Sequence, residues 1–337
     1  LTWLFVDVMA ELPAGERYAE AARGWLDGVL AEVFPDLLEG LRTRPSTRVI
    51  NLDWDDEPEG EPGQVRGEIR VGRTAWRSRV TVFTEAAWRR FLGSLDKSPA
   101  VASLGIRVVG EDGYLSDGGA EIRVVRPEEE PGWVRFSLQA SPWFIWEARL
   151  ADGPGPGGAV MVRRWVPGCA EPQVVERDAG AMVTMLPGPG GGWAGSAELQ
   201  DRWVRVVRRQ AARVGACAGM ITARGGGPGM HETVAYPDWV PEMVIQPAEY
   251  VQEVAMLGAG REVLYRFSWV TIIPPEVAAR VGGAAGLRAS GAFFEVSELP
   301  GGAVWLRATR AVGEFDATRS AAVAAALAPV LVAAANL

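Results

Sequence analysis

Apolar residues along this chain fall into short runs of strand length and a few longer stretches with a helical repeat. Leu1 to Met9 is a short apolar run that predicts a strand, and a Leu-Pro-Ala-Gly turn follows it. Glu16 to Phe34 then reads as a helix. Tyr18, Ala22, Trp25, Val29 and Val33 recur on one stripe, with Leu26 and Leu30 beside it. Pro35 disfavours helical backbone at Phe34, so the helix ends or kinks there, and Asp36 to Leu41 adds a turn or two. Strands are predicted at Val65–Val71 and Trp76–Phe83. Thr84 stands as an N-cap ahead of Glu85 and the apolar residues Ala87, Trp88, Phe91 and Leu92. Further strand-like segments are Gly105–Val109, Ala120–Arg126, Trp133–Ala140 and Phe144–Leu150.

Asp152 to Gly158 is a Gly/Pro stretch and the best mid-chain boundary, dividing the chain into units 1–152 and 159–337. Beyond it, strands are expected at Ala159–Val166, Gln173–Arg177 and Ala181–Leu186. Ser196 caps a helix that ends near Ala218. Its apolar stripe holds Leu199, Trp203, Val206, Val207, Val214 and Cys217, and Arg202, Arg205, Arg208 and Arg209 line the other side as a solvated or ion-paired surface. Gln210 falls inside the apolar stripe and needs a partner if buried. Strands follow at Ala248–Met256 and Glu262–Ile273. A short helix starts at Pro274-Pro275-Glu276 and stops at Gly282-Gly283, and Ala284–Ser290 is a helical turn. Phe293–Glu298 and Ala303–Thr309 form a hairpin, and Asp316 or Thr318 caps a final helix.

The class is α+β, with mixed or antiparallel sheets and long packed helices. Val80-Thr-Val-Phe-Thr-Glu-Ala-Ala87 and Val270-Thr-Ile-Ile-Pro-Pro-Glu-Val-Ala278 share a strand-into-helix order. The halves read either as two tandem copies of one unit or as one continuous domain.

Composition narrows function more than fold. The 337 residues include one histidine, His231, one lysine, Lys97, and two cysteines, Cys169 and Cys217. Histidine is the usual acid–base group near neutral pH, and cysteine and lysine supply the readily activated nucleophiles. Their scarcity turns the expectation from catalysis to binding. The net charge of −8 repels phosphate polymers and anionic membranes and favours basic partners. Two cysteines are too few for a disulfide framework and fit buried thiols in a cytoplasmic, reducing setting. The N-terminal run lacks a basic n-region and predicts no signal peptide, and no apolar run is long enough to predict a membrane span.

Few residues offer chemistry. Asp53, Asp55, Asp56, Glu57, Glu59 and Glu61 form an acidic loop with Pro58 and Pro62. The loop is either solvated or a docking patch for a basic partner. Its oxygens lack the EF-hand spacing, so no calcium site is implied. Glu128-Glu129-Glu130 has the same two readings, with a turn favoured. Trp143, Trp146 and Trp165 are core residues or, if exposed, an aromatic binding wall. His231 and Glu232, with Tyr236, are the polar actors of a pocket between the halves, if the protein is an enzyme or small-molecule binder. The Gly-rich stretches at 188–192 and 225–229 match neither phosphate-loop pattern. The cysteines have no partners at zinc spacing. No cofactor or metal is implied.

Three C-terminal segments carry a resemblance. Phe267-Ser-Trp-Val-Thr-Ile-Ile-Pro-Pro-Glu-Val-Ala-Ala-Arg-Val-Gly-Gly283 resembles the tryptophan-led strand and short helix ending in Leu-Gly-Gly of the bacterial type VI immunity family, with Val281 in place of leucine. Leu287–Val296 and Leu299–Ala308 resemble its closing hairpin, and Asp316–Leu327 its helical end. The resemblance covers roughly Ser196 to Ala328 and carries no catalytic motif. It implies an antitoxin that binds and blocks a cognate protein toxin, a basic one on the charge argument. A structural component of a bacterial assembly is a further alternative.

Overall fold

The computed structural model describes residues 2–12, 15–43, 64–73, 78–109, 115–126, 132–140, 146–150, 159–164, 173–178, 197–225, 264 and 267–331. Their strands are β1 (Thr2–Glu11), β2 (Val65–Gly72), β3 (Ser78–Val82), β4 (Val101–Val109), β5 (Leu115–Val125), β6 (Trp133–Ala140), β7 (Trp146–Leu150), β8 (Ala159–Arg164), β9 (Gln173–Asp178), β10 (Ala218–Gly225), β11 (Val270–Ile273), β12 (Glu295–Glu298) and β13 (Val304–Arg307). The helices are α1 (Glu16–Val33), α2 (Pro35–Thr43), α3 (Glu85–Ser94), α4 (Ala197–Val214), α5 (Pro275–Arg280), α6 (Gly283–Ala289) and α7 (Ala317–Leu327).

Ten strands form one sheet in the order β12-β13-β11-β10-β1-β6-β5-β4-β2-β3, with antiparallel neighbours throughout. Such a sheet beside seven helices fits the α+β class. At its centre β1 pairs β6 on one side and β10 on the other, so strands from both sides of the 152–158 stretch share the sheet. That stretch itself lies outside the described residues. β7, β8 and β9 make a separate antiparallel sheet.

Period-2 patterning decides what each strand buries. On β1 the buried residues are Val6, Val8 and Ala10. On β6 they are Val134, Phe136 and Leu138, on β5 Ala120, Ile122 and Val124, and on β4 Ala102, Leu104 and Ile106. All join one core with Tyr18, Trp25, Leu26, Val29 and Leu30 of α1 and with Trp203, Val206 and Val207 of α4. Trp25 lies 5.6 Å from Phe136, ring centroid to centroid, so the helix stripe meets the inward row of the sheet.

α1 and α4 run antiparallel across this face. Glu20 pairs with Arg213 at 2.9 Å, Glu32 with Arg209, and Phe34 meets Trp203 edge-on. Two glycines let the helices approach. A Cβ on Gly28 would stand 2.8 Å from Gln210 Nε2, and one on Gly24 would stand 2.5 Å from the Arg213 guanidinium. Gln210 is buried as its place in the stripe requires, yet its Oε1 has no hydrogen-bond partner. The α4 arginines are ion-paired: Arg202 with Glu198, Arg208 with Glu295 and Arg209 with Glu32. Arg205 is exposed.

A second core lies on the opposite face of β11 and β13. Ile273, Val304 and Leu306 pack there with Val277 and Ala278 of α5, Leu287 of α6, and Val323 and Leu327 of α7. Their strand neighbours Val270, Ile272 and Trp305 belong to the first core. β11 and β13 are therefore buried on both faces.

The local signals act as read. α1 ends at Val33 and α2 begins at Pro35. Thr84 Oγ1 accepts the Ala87 N–H at 3.0 Å, and Asp316, not Thr318, caps α7 by accepting from Arg319 N. The α4 expectation needs a correction. The helix stops at Val214, where Gly215 takes φ +65°, and Ala218 already begins β10. Residues 181–186 and 248–256, expected as strands, lie outside the described residues.

Candidate functional site

Most residues singled out from the sequence fall outside the described regions: Asp53, Asp55, Asp56, Glu57, Glu59 and Glu61, the Glu128–Glu130 run, Trp143, Trp165, Cys169, His231, Glu232 and Tyr236. Trp146 opens β7, where its backbone pairs with Arg164. Cys217 is half-buried and its thiol donates to Met9 O at 3.4 Å. Among the described residues, no group of three or more His, Cys, Asp and Glu is placed to hold a metal, and no helix is long and apolar enough to cross a membrane.

The described residues bring together a charged and polar face of the sheet that sequence reasoning did not single out, with Arg66 and Ser103 buried in it. Residues between the inward positions of β1, β6, β5, β4 and β2 point to the opposite face of the sheet. The pairing registers set Asp7, Ser137, Arg123, Ser103 and Arg70 in one cross-strand row. Glu121, Gly105 and Glu68 form a neighbouring row. Arg107 stands directly opposite Arg66, whose side chain is buried and partnered. Arg135 reaches Asp7 at 2.7 Å, a pair whose side chains keep 23% and 17% of their exposure. Arg123 lies 3.6 Å from Glu121, and its Nε is buried without a partner. The signal was present in the alternation of Trp133-Val-Arg-Phe-Ser-Leu138, which puts polar groups on the second face.

Two other clusters serve the fold. Arg307 is buried, with its guanidinium 5.2 Å from the Trp269 ring and 5.6 Å from that of Phe294. It pairs with Asp201 of α4 at 2.9 Å and donates to Arg310 O. Phe294, above it, is 57% exposed. At the other end, Ser98 takes φ +47°, accepts the Gly15 N–H and gives its carbonyl to Arg126. Tyr18 donates to Pro99 O at 2.9 Å. Burial pushes its phenol well above the usual tyrosine range, and the Arg126 guanidinium partly opposes that shift. These contacts fasten the start of α1 to the turn after α3.

No family model matches the chain, and no curated protein matches it. Among solved structures, the chain is similar to one named as a Pseudomonas aeruginosa T6SS protein, at 10% identity and a TM-score of 0.48. The match covers 98% of this chain and 73% of the other. Similarity at that level carries no inference about what this chain does.

Proposed function

We propose that this protein works by binding another protein, as an immunity-type inhibitor that covers a cognate toxin, and not by turning over a substrate. The observation that carries this reading is the side-chain inventory: one histidine, one lysine and two cysteines in 337 residues. An acyl, phosphoryl or proton-transfer site draws its base or nucleophile chiefly from those residue types. The resemblance of Phe267–Gly283 and the following hairpin to the immunity family gives the reading its specific form.

On this proposal the acidic segment Asp53–Glu61 draws in a basic toxin, and aromatic groups such as Trp143 and Trp146 supply the anchoring contact. Charge sets the rate and specificity of such encounters, whereas a few buried aromatic residues dominate their energy. The test mixes the purified chain with the toxin product of its neighbouring gene and follows association against salt. Tight, salt-sensitive binding with rescue of growth is expected. Neutralising the six acids should slow association about tenfold or more at low salt. Absence of both binding and rescue overturns the proposal, and so does a catalytic turnover that vanishes in His231→Ala.

A further inference from the structure

We infer that Phe294 and the arginines around it form a docking site, and that it takes a segment of a partner protein in which a large apolar side chain is flanked by carboxylates. This site goes beyond the proposed function. It stands on other residues than the acidic segment Asp53–Glu61 and attracts the opposite sign of charge.

Among the described residues, Phe294 is the one large apolar side chain that stands well exposed, at 57%. A lone exposed apolar group is ordinary on a protein surface. This one differs in its support. Its backbone N–H donates to Ala308 O at 3.1 Å, directly before β12. The Arg307 guanidinium lies against its ring and against that of Trp269, a fully buried residue whose Nε1–H donates to Thr309 O at 3.0 Å. Asp201 of α4 and the Arg310 carbonyl fix Arg307 in turn. A ring held from below in this way meets a partner with little ordering left to do, and preorganised aromatic anchors carry a large share of binding energy.

The charges beside the ring select the partner. Asp201 and Arg208 of α4 reach β13 and β12, where they pair with Arg307 and Glu295. Arg205 lies within about one turn of both along α4 and is exposed. Arg310, next to the other anchor of Arg307, is exposed as well. The neighbouring carboxylates are engaged: Asp201 by Arg307, Glu295 by Arg208, and Glu314 by the Ala311 N–H. Among the described residues no carboxylate lies within ion-pair distance of Arg205 or Arg310. The uncompensated charge at the site is therefore positive, and a guanidinium accepts a carboxylate in bidentate geometry. A nucleic-acid strand also offers a base to the ring and phosphates to the arginines. Strand binding, however, draws on successive aromatic platforms along a basic groove, and this protein carries a net charge of −8. An acidic polypeptide with an apolar anchor is the favoured occupant.

The experiment uses the full chain and two fluorescein-labelled peptides, Glu-Glu-Trp-Glu-Glu and Glu-Glu-Gly-Glu-Glu, read by anisotropy at low salt with oligothymidylate of matched charge as competitor. Phe294→Ser and the Arg205→Glu/Arg310→Glu double variant are compared with Arg89→Glu, an exposed arginine of α3. We expect the tryptophan peptide to bind about fivefold tighter than the glycine peptide, and that preference to vanish in Phe294→Ser. Affinity for both peptides should fall about tenfold or more in the double variant and stay within about twofold in Arg89→Glu. If the charge reversal fails to fold, Arg205→Gln/Arg310→Gln replaces it, with a loss of about fivefold expected. Undetectable binding of the tryptophan peptide, an unchanged preference in Phe294→Ser, an equal loss in Arg89→Glu, or tighter binding of oligothymidylate overturns the inference. None of these outcomes depends on the toxin test, so the two readings fail separately.

Discussion

The two ends of the ten-stranded sheet solve the same burial problem differently. At the β11–β13 end, helices cover both faces, and adjacent residues such as Trp305 and Leu306 enter different cores. At the β6–β5–β4 end, α1 covers one face, and neighbours alternate between buried Phe136 and half-exposed Arg135. The sequences differ accordingly. Val270-Thr-Ile-Ile273 and Val304-Trp-Leu306 are nearly continuous apolar runs, whereas Trp133-Val-Arg-Phe-Ser-Leu138 alternates. Continuous runs mark strands buried on both sides, and alternation marks strands with one polar face. The alternating end therefore carries charged and polar side chains on its second face, and the continuous end carries a second apolar core.

The largest test of that contrast compares neighbouring residues. Trp305→Ala should cost about 3–5 kcal/mol and Leu306→Ala about 2–5 kcal/mol, because both side chains leave cavities in packed cores. In β6 only one neighbour should matter: Phe136→Ala costs about 3–5 kcal/mol, while Arg135→Ala stays within about 1 kcal/mol. Urea unfolding of the four variants measures this directly. A Leu306→Ala cost as small as that of Arg135→Ala would break the two-sided picture.

A smaller effect is expected where the two ends meet. A Cβ at Gly219 of β10 would lie 2.6 Å from Asp7 O and 3.1 Å from Val8 Cα, both backbone atoms of β1. Gly219→Ala should therefore destabilise by about 1–3 kcal/mol through overpacking. Hydrogen exchange should show the added opening concentrated in β1 and β10.

Tyr18 sharpens the comparison from beneath the alternating end. Its pKa is raised on folding, so its contribution is complete below the ordinary tyrosine value of about 10 and is lost as pH climbs above it. Tyr18→Phe should lose about 1 kcal/mol at neutral pH with the hydrogen bond to Pro99 O, and should flatten the alkaline decline of stability. A pH series of unfolding midpoints reads both effects. An unchanged alkaline slope would argue against a buried phenol.

The smallest effect belongs to the charged face. A double-mutant cycle on Asp7 and Arg135 should give a coupling of about 0.2–1 kcal/mol that shrinks with added salt. A salt-independent coupling of several kcal/mol would mean that the pair is a buried structural element.

Much of the fold was legible because local physics sets it. β6 coincides with the predicted Trp133–Ala140, Thr84 and Asp316 cap their helices, and Pro35 divides α1 from α2. β10 was not legible. The apolar stripe of α4 continues through Cys217, and Ala218, Gly219, Ala223 and Gly225 are weak strand formers. That strand exists because β1 and β11 pair with it on either side. The charged face was hidden for a related reason: Asp7, Arg123 and Arg70 are 53 to 116 positions apart, and only the register sets them in one row.

By itself the sequence determined the periodicities, the helix ends, the poverty of catalytic side chains and the acidic charge, since each is a property of a residue and its near neighbours. Tertiary structure alone decided that strands from both sides of the Gly/Pro stretch share one sheet, that Gly24 and Gly28 admit Gln210 and Arg213, and that five arginines gather on one face. Those outcomes depend on pairings between distant segments, where the free energy comes from surface buried jointly by residues that no local window contains.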